Sequence, residues 1–188
     1  MIISSTDYKG YQIEIIPDEN PLHPREDIDN LGLMVCFHRH YKIGDKHQYT
    51  ADQAKEMAGS NAYISLPIYL YDHSGLTIRT YPFSCPWDSD QIGWILVEKE
   101  RVRKEYGWKL INRKREKKIK EILQSEIEYY DKYLTNSIFG FLIRQNGEII
   151  NICYGFDDEN YIIEYAKTTI DSFIKDKEKR LSSILVNF

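Results

Sequence analysis

Two apolar runs, residues 138–143 and 149–154, flank the segment Arg144-Gln145-Asn146-Gly147-Glu148, and no other feature constrains the fold of this chain as much. Asn-Gly takes two consecutive positive φ angles at little steric cost, which the type I′ turn of a tight hairpin requires. A second hairpin signal lies in residues 62–80. Ile64, Leu66, Ile68 and Leu70 there alternate with Tyr63, Ser65, Tyr69 and Tyr71, and residues 76–80 return after an Asp72-His73-Ser74-Gly75 turn. Pro67 lacks an N–H for the ladder and so predicts an edge strand or a bulge. Further strands are expected at residues 11–16, ended by Pro17, at 31–37, and at 92–97.

Between these runs the apolar period changes from two to three and four. Thr50 with Gln53 forms a capping box for a short helix over 51–58, with Gly59 as its stop, and residues 98–106 form another short helix ending at Gly107. Asn112 caps a longer helix to about Leu134, in which Ile119, Ile122, Leu123, Ile127, Tyr130 and Leu134 share one face. Asp157, Asp158 and Glu159 open a last helix at its positive end, with Ile162, Tyr165, Ala166, Ile170, Phe173 and Ile174 facing inward. The apolar tail 181–188 either continues the fold or docks on a partner. Hairpins with two longer amphipathic helices predict an α+β fold built on a mainly antiparallel sheet. At 188 residues, the expectation is one domain spanning 1–188.

No run approaches the roughly 18 apolar residues of a membrane span, and the start of the chain lacks the pattern of a signal peptide. The expected location is therefore cytoplasmic, with no membrane partner. Cys36, Cys85 and Cys153 are odd in number and widely spaced, which excludes a disulfide framework and a cysteine-rich zinc site. The formal charge of −4 conceals an asymmetry. Residues 1–100 carry 8 basic and 15 acidic side chains, residues 101–120 carry 10 and 2, and residues 121–188 carry 7 and 12. Arg113, Lys114, Lys117 and Lys118 thus gather at the N-terminal end of a helix, against its dipole. The 15 tyrosines exceed ordinary use; they fit sheet positions, and a surplus also fits an interface.

Most of the histidines and two of the three cysteines fall within residues 31–40 and 66–94. Cys85, His73 and Asp88 are the residues there from which a thiol nucleophile, a base and an orienting carboxylate could be assembled. Cys85 precedes Pro86 rather than opening a helix, so a packed thiol beside Pro86 and Trp87 is the expected role, and no catalytic residue is assigned. His38 and His40 would share a strand face and could join His47 or His73 at a metal, but nothing fixes the convergence of three ligands. Asp88-Ser89-Asp90 opens like a calcium loop that then lacks its glycine and terminal glutamate. Gly-rich phosphate motifs are absent. No cofactor or metal is expected.

Residues 31–47, 66–75, 84–89, 92–95 and 102–107 together resemble a family of small bacteriophage and mobile-element proteins usually described as hypothetical, over about residues 8–135. The family carries no established catalytic residues, so the resemblance implies context. Small phage accessory proteins without an enzymatic signature often inactivate a host defence system by binding it, as anti-CRISPR and antirestriction proteins do. The first expectation is such an inhibitor, contacting a host protein or nucleoprotein complex through Arg113, Lys114, Lys117 and Lys118 and through Tyr69, Tyr71 and Trp87. One alternative is a small Cys/His-dependent hydrolase or nucleotide-binding enzyme. Another is a phage nucleic-acid-binding regulator using the basic helix, with Tyr106 or Trp108 to stack on bases. Acidic flanks and a pI near 5.8 disfavour direct nucleic-acid contact. A homo-oligomer is compatible with the sequence.

Overall fold

Asn146 and Gly147 take φ angles of 51° and 85°, and the strands they join, Phe139–Gln145 and Glu148–Phe156, pair antiparallel as the dipeptide requires. The computed structural model describes residues 1–85 and 87–185, without the side chains of residues 181 and 183–185. In chain order the elements are β1 (Ser4–Tyr8), β2 (Tyr11–Pro17), β3 (Leu33–Cys36), α1 (Ala51–Gly59), β4 (Tyr63–Asp72), β5 (Leu76–Arg79), β6 (Ser89–Glu98), α2 (Lys99–Tyr106), α3 (Arg113–Leu134), β7 (Phe139–Gln145), β8 (Glu148–Phe156) and α4 (Glu159–Leu185). The fold is α+β, and every strand pair is antiparallel. Where one sheet in one domain is the simplest expectation, the strands form two four-stranded sheets in two compact units.

The first unit joins Met1–Pro21 to the chain from Asn136 onward, with strand order β1-β2-β7-β8. Ile162, Ala166 and Ile170 of α4 are buried against Tyr11, Ile13, Ile15, Phe141 and Ile143 on one sheet face. Asp158 accepts from the Tyr161 N–H at 3.0 Å, confirming the helix start read from its acidic run. Tyr165 departs from expectation: it is 44% exposed and packs edgewise with Phe156 and Tyr161. β1 also escapes the apolar pattern, because an edge strand of Ser-Ser-Thr-Asp-Tyr is held by its ladder and by the Lys9-Gly10 turn. The helix continues through the expected tail to Leu185, and residues 186–188 lie outside those described.

The second unit, 22–135, has strand order β3-β6-β4-β5 and is covered on both faces. Ile119, Leu123, Ile127 and Tyr130 of α3 pack on Ile64, Ile68, Leu70, Ile78, Ile95 and Val97. Ala54 of α1 packs on Val35 and Leu96 from the other side. Double coverage explains why Ile95-Leu96-Val97 reads as a continuous apolar run, since both faces of β6 are buried. β6 begins at Ser89, earlier than the apolar run, because Ser89, Asp90 and Gln91 pair with Tyr71, Leu70 and Tyr69. Pro67 lies where β4 is paired only to β6, and the register shifts between Ile68 and Tyr69, just where β5 begins to pair. The Thr50–Gln53 capping box is present, but α1 runs through Gly59 and ends on an extended Ser60. Gly107 closes α2 in the left-handed conformation, as expected.

One charged group lies inside this unit. The Arg25 side chain, 2% exposed, donates through Nε and Nη2 to the two Asp45 oxygens at 3.0 and 2.5 Å, and through Nη1 to Glu126 at 3.0 Å. Both carboxylates also take backbone donors: Asp45 from Met34 at 2.7 Å, Glu126 from Leu31 at 2.8 Å. Removing the cation leaves two inward carboxylates facing each other's field without compensation. Arg25→Leu is therefore expected to cost about 3–5 kcal/mol, read as a lowered denaturant midpoint.

Candidate functional site

The two histidine- and cysteine-bearing stretches meet at one end of the β3-β6-β4-β5 sheet. Backbone pairing brings them there, with Cys36 opposite Gly93, Tyr71 opposite Ser89, and the Asp72 N–H donating to the Asp88 carbonyl at 2.9 Å. A side chain at position 93 would put its Cβ 2.0 Å from the Val35 carbonyl oxygen, so only glycine lets β3 approach.

At this end Cys85, His73 and Asp88 do come together. The Cys85 thiol donates to Asp88 Oδ2 at 3.5 Å, and His73 Nδ1 lies 3.6 Å from the same oxygen. The Ser89 hydroxyl donates to the Cys85 carbonyl, fixing the loop's return into β6. A thiol nucleophile needs the imidazole between itself and the carboxylate. Here the carboxylate stands between the thiol and the ring, an order suited to holding a loop. Trp87 is 92% exposed, so the expected packing of Cys85 against it is not what the structure has; Pro86 lies outside the described residues. Tyr71 stacks between His73 and Phe83, with Arg79 3.7 Å from the Phe83 ring centroid. Tyr69 is half-buried in β4.

His38 and His40 are not on a strand, since β3 ends at Cys36. His38 Nδ1 accepts the N–H groups of His40 and Tyr41 at 3.3 and 3.2 Å, and its ring stacks on Tyr41. The Asp72 carboxylate nearby holds the Tyr41 phenol above its ordinary range. His47 Nε2 faces the Cys36 carbonyl at 3.1 Å and so carries the proton, leaving Nδ1 as an acceptor with no partner among the described residues. Among those residues no group of three His, Cys, Asp or Glu side chains converges as a metal site. Asp90 is taken into β6, away from any calcium-loop geometry. Nothing in the sequence marks the approach of Tyr41 to Asp72, because it brings the loop after β3 to the end of β4, 31 residues on, through an ordinary pair of polar side chains.

The cationic segment forms a surface of its own. Arg101, Arg103, Lys104, Lys109, Arg113, Lys114, Lys117 and Lys118 are exposed along α2, the 107–112 linker and the start of α3. Lys117 reaches Glu121 at 3.7 Å, while Glu116 takes Lys120 at 3.2 Å and Lys99 at 3.7 Å. Arg103, Lys104, Lys109, Arg113 and Lys114 have no ion-pair partner among the described residues. Tyr106 and Trp108 stack on each other at 4.7 Å, with Arg115 over the indole, and are packed against the core. Each of these rings thus has one face taken by the other.

No protein-family model, curated protein or solved structure matches this chain. Among the described residues no helix is long and apolar enough to cross a membrane.

Two measurements follow from the thiols. Burial pushes the Cys36 thiol up to about 12, and the Asp45 carboxylate pushes it the same way. The unfolded thiol loses its proton from about pH 9 while the folded one keeps it, so this group lowers stability as pH rises from about 9 to about 12. Cys36 is expected to resist alkylation at neutral pH until denaturant is added, as mass mapping of the labelled cysteines would read. Cys85→Ser keeps a donor toward Asp88 and is expected to retain biological activity while lowering stability by about 1 kcal/mol or less, measured by thermal unfolding.

Proposed function

We propose that this chain is a non-catalytic accessory protein of a bacteriophage or mobile element that binds and inhibits a host defence component in the bacterial cytoplasm. The observation that carries the reading is the α2–α3 surface, where Arg101, Arg103, Lys104, Lys109, Arg113, Lys114 and Lys118 are exposed with no ion-pair partner among the described residues, on a chain that is acidic on either side. Arg113 and Lys114, in the first turn of α3, oppose its dipole at a few tenths of a kcal/mol each, and a partner supplying negative charge would relieve that cost, whereas Arg103 and Lys104 lie in the last turn of α2, where the dipole favours them. Because Tyr106 and Trp108 are stacked on one another and packed against the core, each has at most one ring face left beside the charge. That favours an acidic protein surface, alone or within a nucleoprotein complex, over single-stranded nucleic acid. The counter-defence context comes from the resemblance of residues 31–47, 66–75, 84–89, 92–95 and 102–107 to phage proteins.

A thiol-dependent hydrolase is the second reading, favoured by the meeting of Cys85, His73 and Asp88 at one carboxylate oxygen. Retained activity of Cys85→Ser would dismiss it.

The test is protection of a phage or plasmid from CRISPR interference or restriction in a host expressing the chain. Wild type is expected to protect. A variant with Arg113, Lys114, Lys117 and Lys118 all changed to Glu is expected to lose protection with its circular dichroism spectrum and folding cooperativity intact. Equal protection by this folded variant would assign the surface to solvation alone.

A further inference from the structure

Beside the cationic surface lies an open groove of about 880 Å³ between residues 28–31, α2 and α3. Its axis follows α3, because Lys118, Ile122, Ser125 and Tyr129 recur at three- and four-residue spacing along one side of that helix. The floor is apolar: Ile28, Leu31, Ile122 and the Tyr106 ring. Arg101 and Lys118 stand on its rim, and Lys118 belongs both to the groove and to the cationic surface, with its ammonium 6.0 Å from the Tyr106 centroid. Two of its carboxylates are already engaged, Glu126 by Arg25 and Glu121 by Lys117. Asp29 and Glu105 remain on the lining and offset Arg101 and Lys118, so the groove holds no excess of positive charge and the cations lie beyond it.

We infer that this groove is an anchor pocket for an acidic peptide segment of the partner, taking one aromatic or large aliphatic side chain while flanking carboxylates lie on the adjoining cations. The inference rests on the binding role proposed above and adds the chemistry of what is bound. An apolar floor ringed by charge is the anatomy of an interface hot spot, in which a buried anchor supplies affinity and the rim supplies orientation and rate. Charge complementarity commits the occupant. The unpaired cations of α2 and α3 continue from Lys118 and call for an acidic chain, and the groove, with no excess positive charge of its own, calls for an uncharged side chain. A phosphate backbone fits the cations but has nothing to place on Ile28 and Leu31.

The test uses the full chain and three fluorescent probes: a glutamate-rich peptide with a central Trp, the same peptide with Ser for Trp, and a single-stranded oligonucleotide of equal charge. The Trp peptide is expected to bind on the order of tenfold more tightly than the Ser peptide. Ile28→Asp, at a position already 37% exposed, is expected to remove that difference and leave the salt dependence unchanged. Reversal of Arg113, Lys114, Lys117 and Lys118 is expected to weaken both peptides and flatten the salt dependence. Equal binding of the two peptides, or an unchanged preference in folded Ile28→Asp, overturns the anchor pocket and leaves the cationic docking surface standing. Peptide binding indifferent to charge reversal overturns the docking surface itself. Tighter binding of the oligonucleotide than of the Trp peptide overturns the choice of an acidic peptide. Should Ile28→Asp fail to fold, fluorine NMR of the peptide carrying 5-fluorotryptophan decides with wild type alone: shielding of the fluorine from a soluble paramagnetic agent supports the pocket, and full accessibility overturns it.

Discussion

The 22–135 unit depends on a guanidinium placed where water cannot reach it. Arg25 comes from a loop with no regular structure, Asp45 from the segment after β3, and Glu126 from the middle of α3, so one cation ties three parts of the chain that share no ladder. Each carboxylate spends its remaining lone pairs on backbone N–H groups at the entry to β3, through Leu31, Gly32 and Met34. The loop before β3 thereby gets hydrogen bonds that no strand provides. A buried ion pair of this kind is a weak source of net stability, because desolvation offsets most of the attraction, but it discriminates sharply against arrangements that leave any member unpaired. It sets where β3 starts, and so where Gly93 meets Val35.

From that placement follows the character of both surfaces discussed for function. With β3 fixed beside β6, the chain emerging at Phe37 turns over the sheet end, and Tyr41 meets Asp72 on the hairpin. The histidines there serve the backbone: His38 caps its own loop and His47 closes onto the Cys36 carbonyl. On the opposite side of Glu126, α3 presents its first two turns with the cations outward, because Ile119 and Leu123 are committed to the sheet. The groove beside Lys118 lies where residues 28–31 are pinned to α3 by the Glu126 carboxylate. Structural order and the proposed recognition surface therefore share one residue, Glu126.

Elements whose determinants are local in sequence stand out without a structure. Asn146-Gly147 fixes its own turn, Thr50 and Gln53 cap their own helix, Asn112 accepts from Arg115 three residues on, and Gly107 stops α2 by adopting a conformation that side chains resist. The apolar period of α3 places Ile119, Leu123, Ile127 and Tyr130 inward because a helix maps sequence spacing directly onto a face. β1 is illegible by the same logic. Its side chains are polar on both faces, and it is a strand only because β2 lies beside it.

What the sequence determined by itself was the kind of every element but β1, the α+β class and the cationic face, since each follows from spacing within one segment. What only the tertiary structure decided was the division into two sheets, the pairing of β2 with β7 across more than a hundred residues, the Arg25 cluster, and the order of Cys85, Asp88 and His73 around one oxygen. The physical reason is the same in each case. A ladder partner or a salt-bridge partner far along the chain is selected by the simultaneous burial of apolar faces and satisfaction of polar groups, and that condition belongs to the assembled core and to no single stretch of residues.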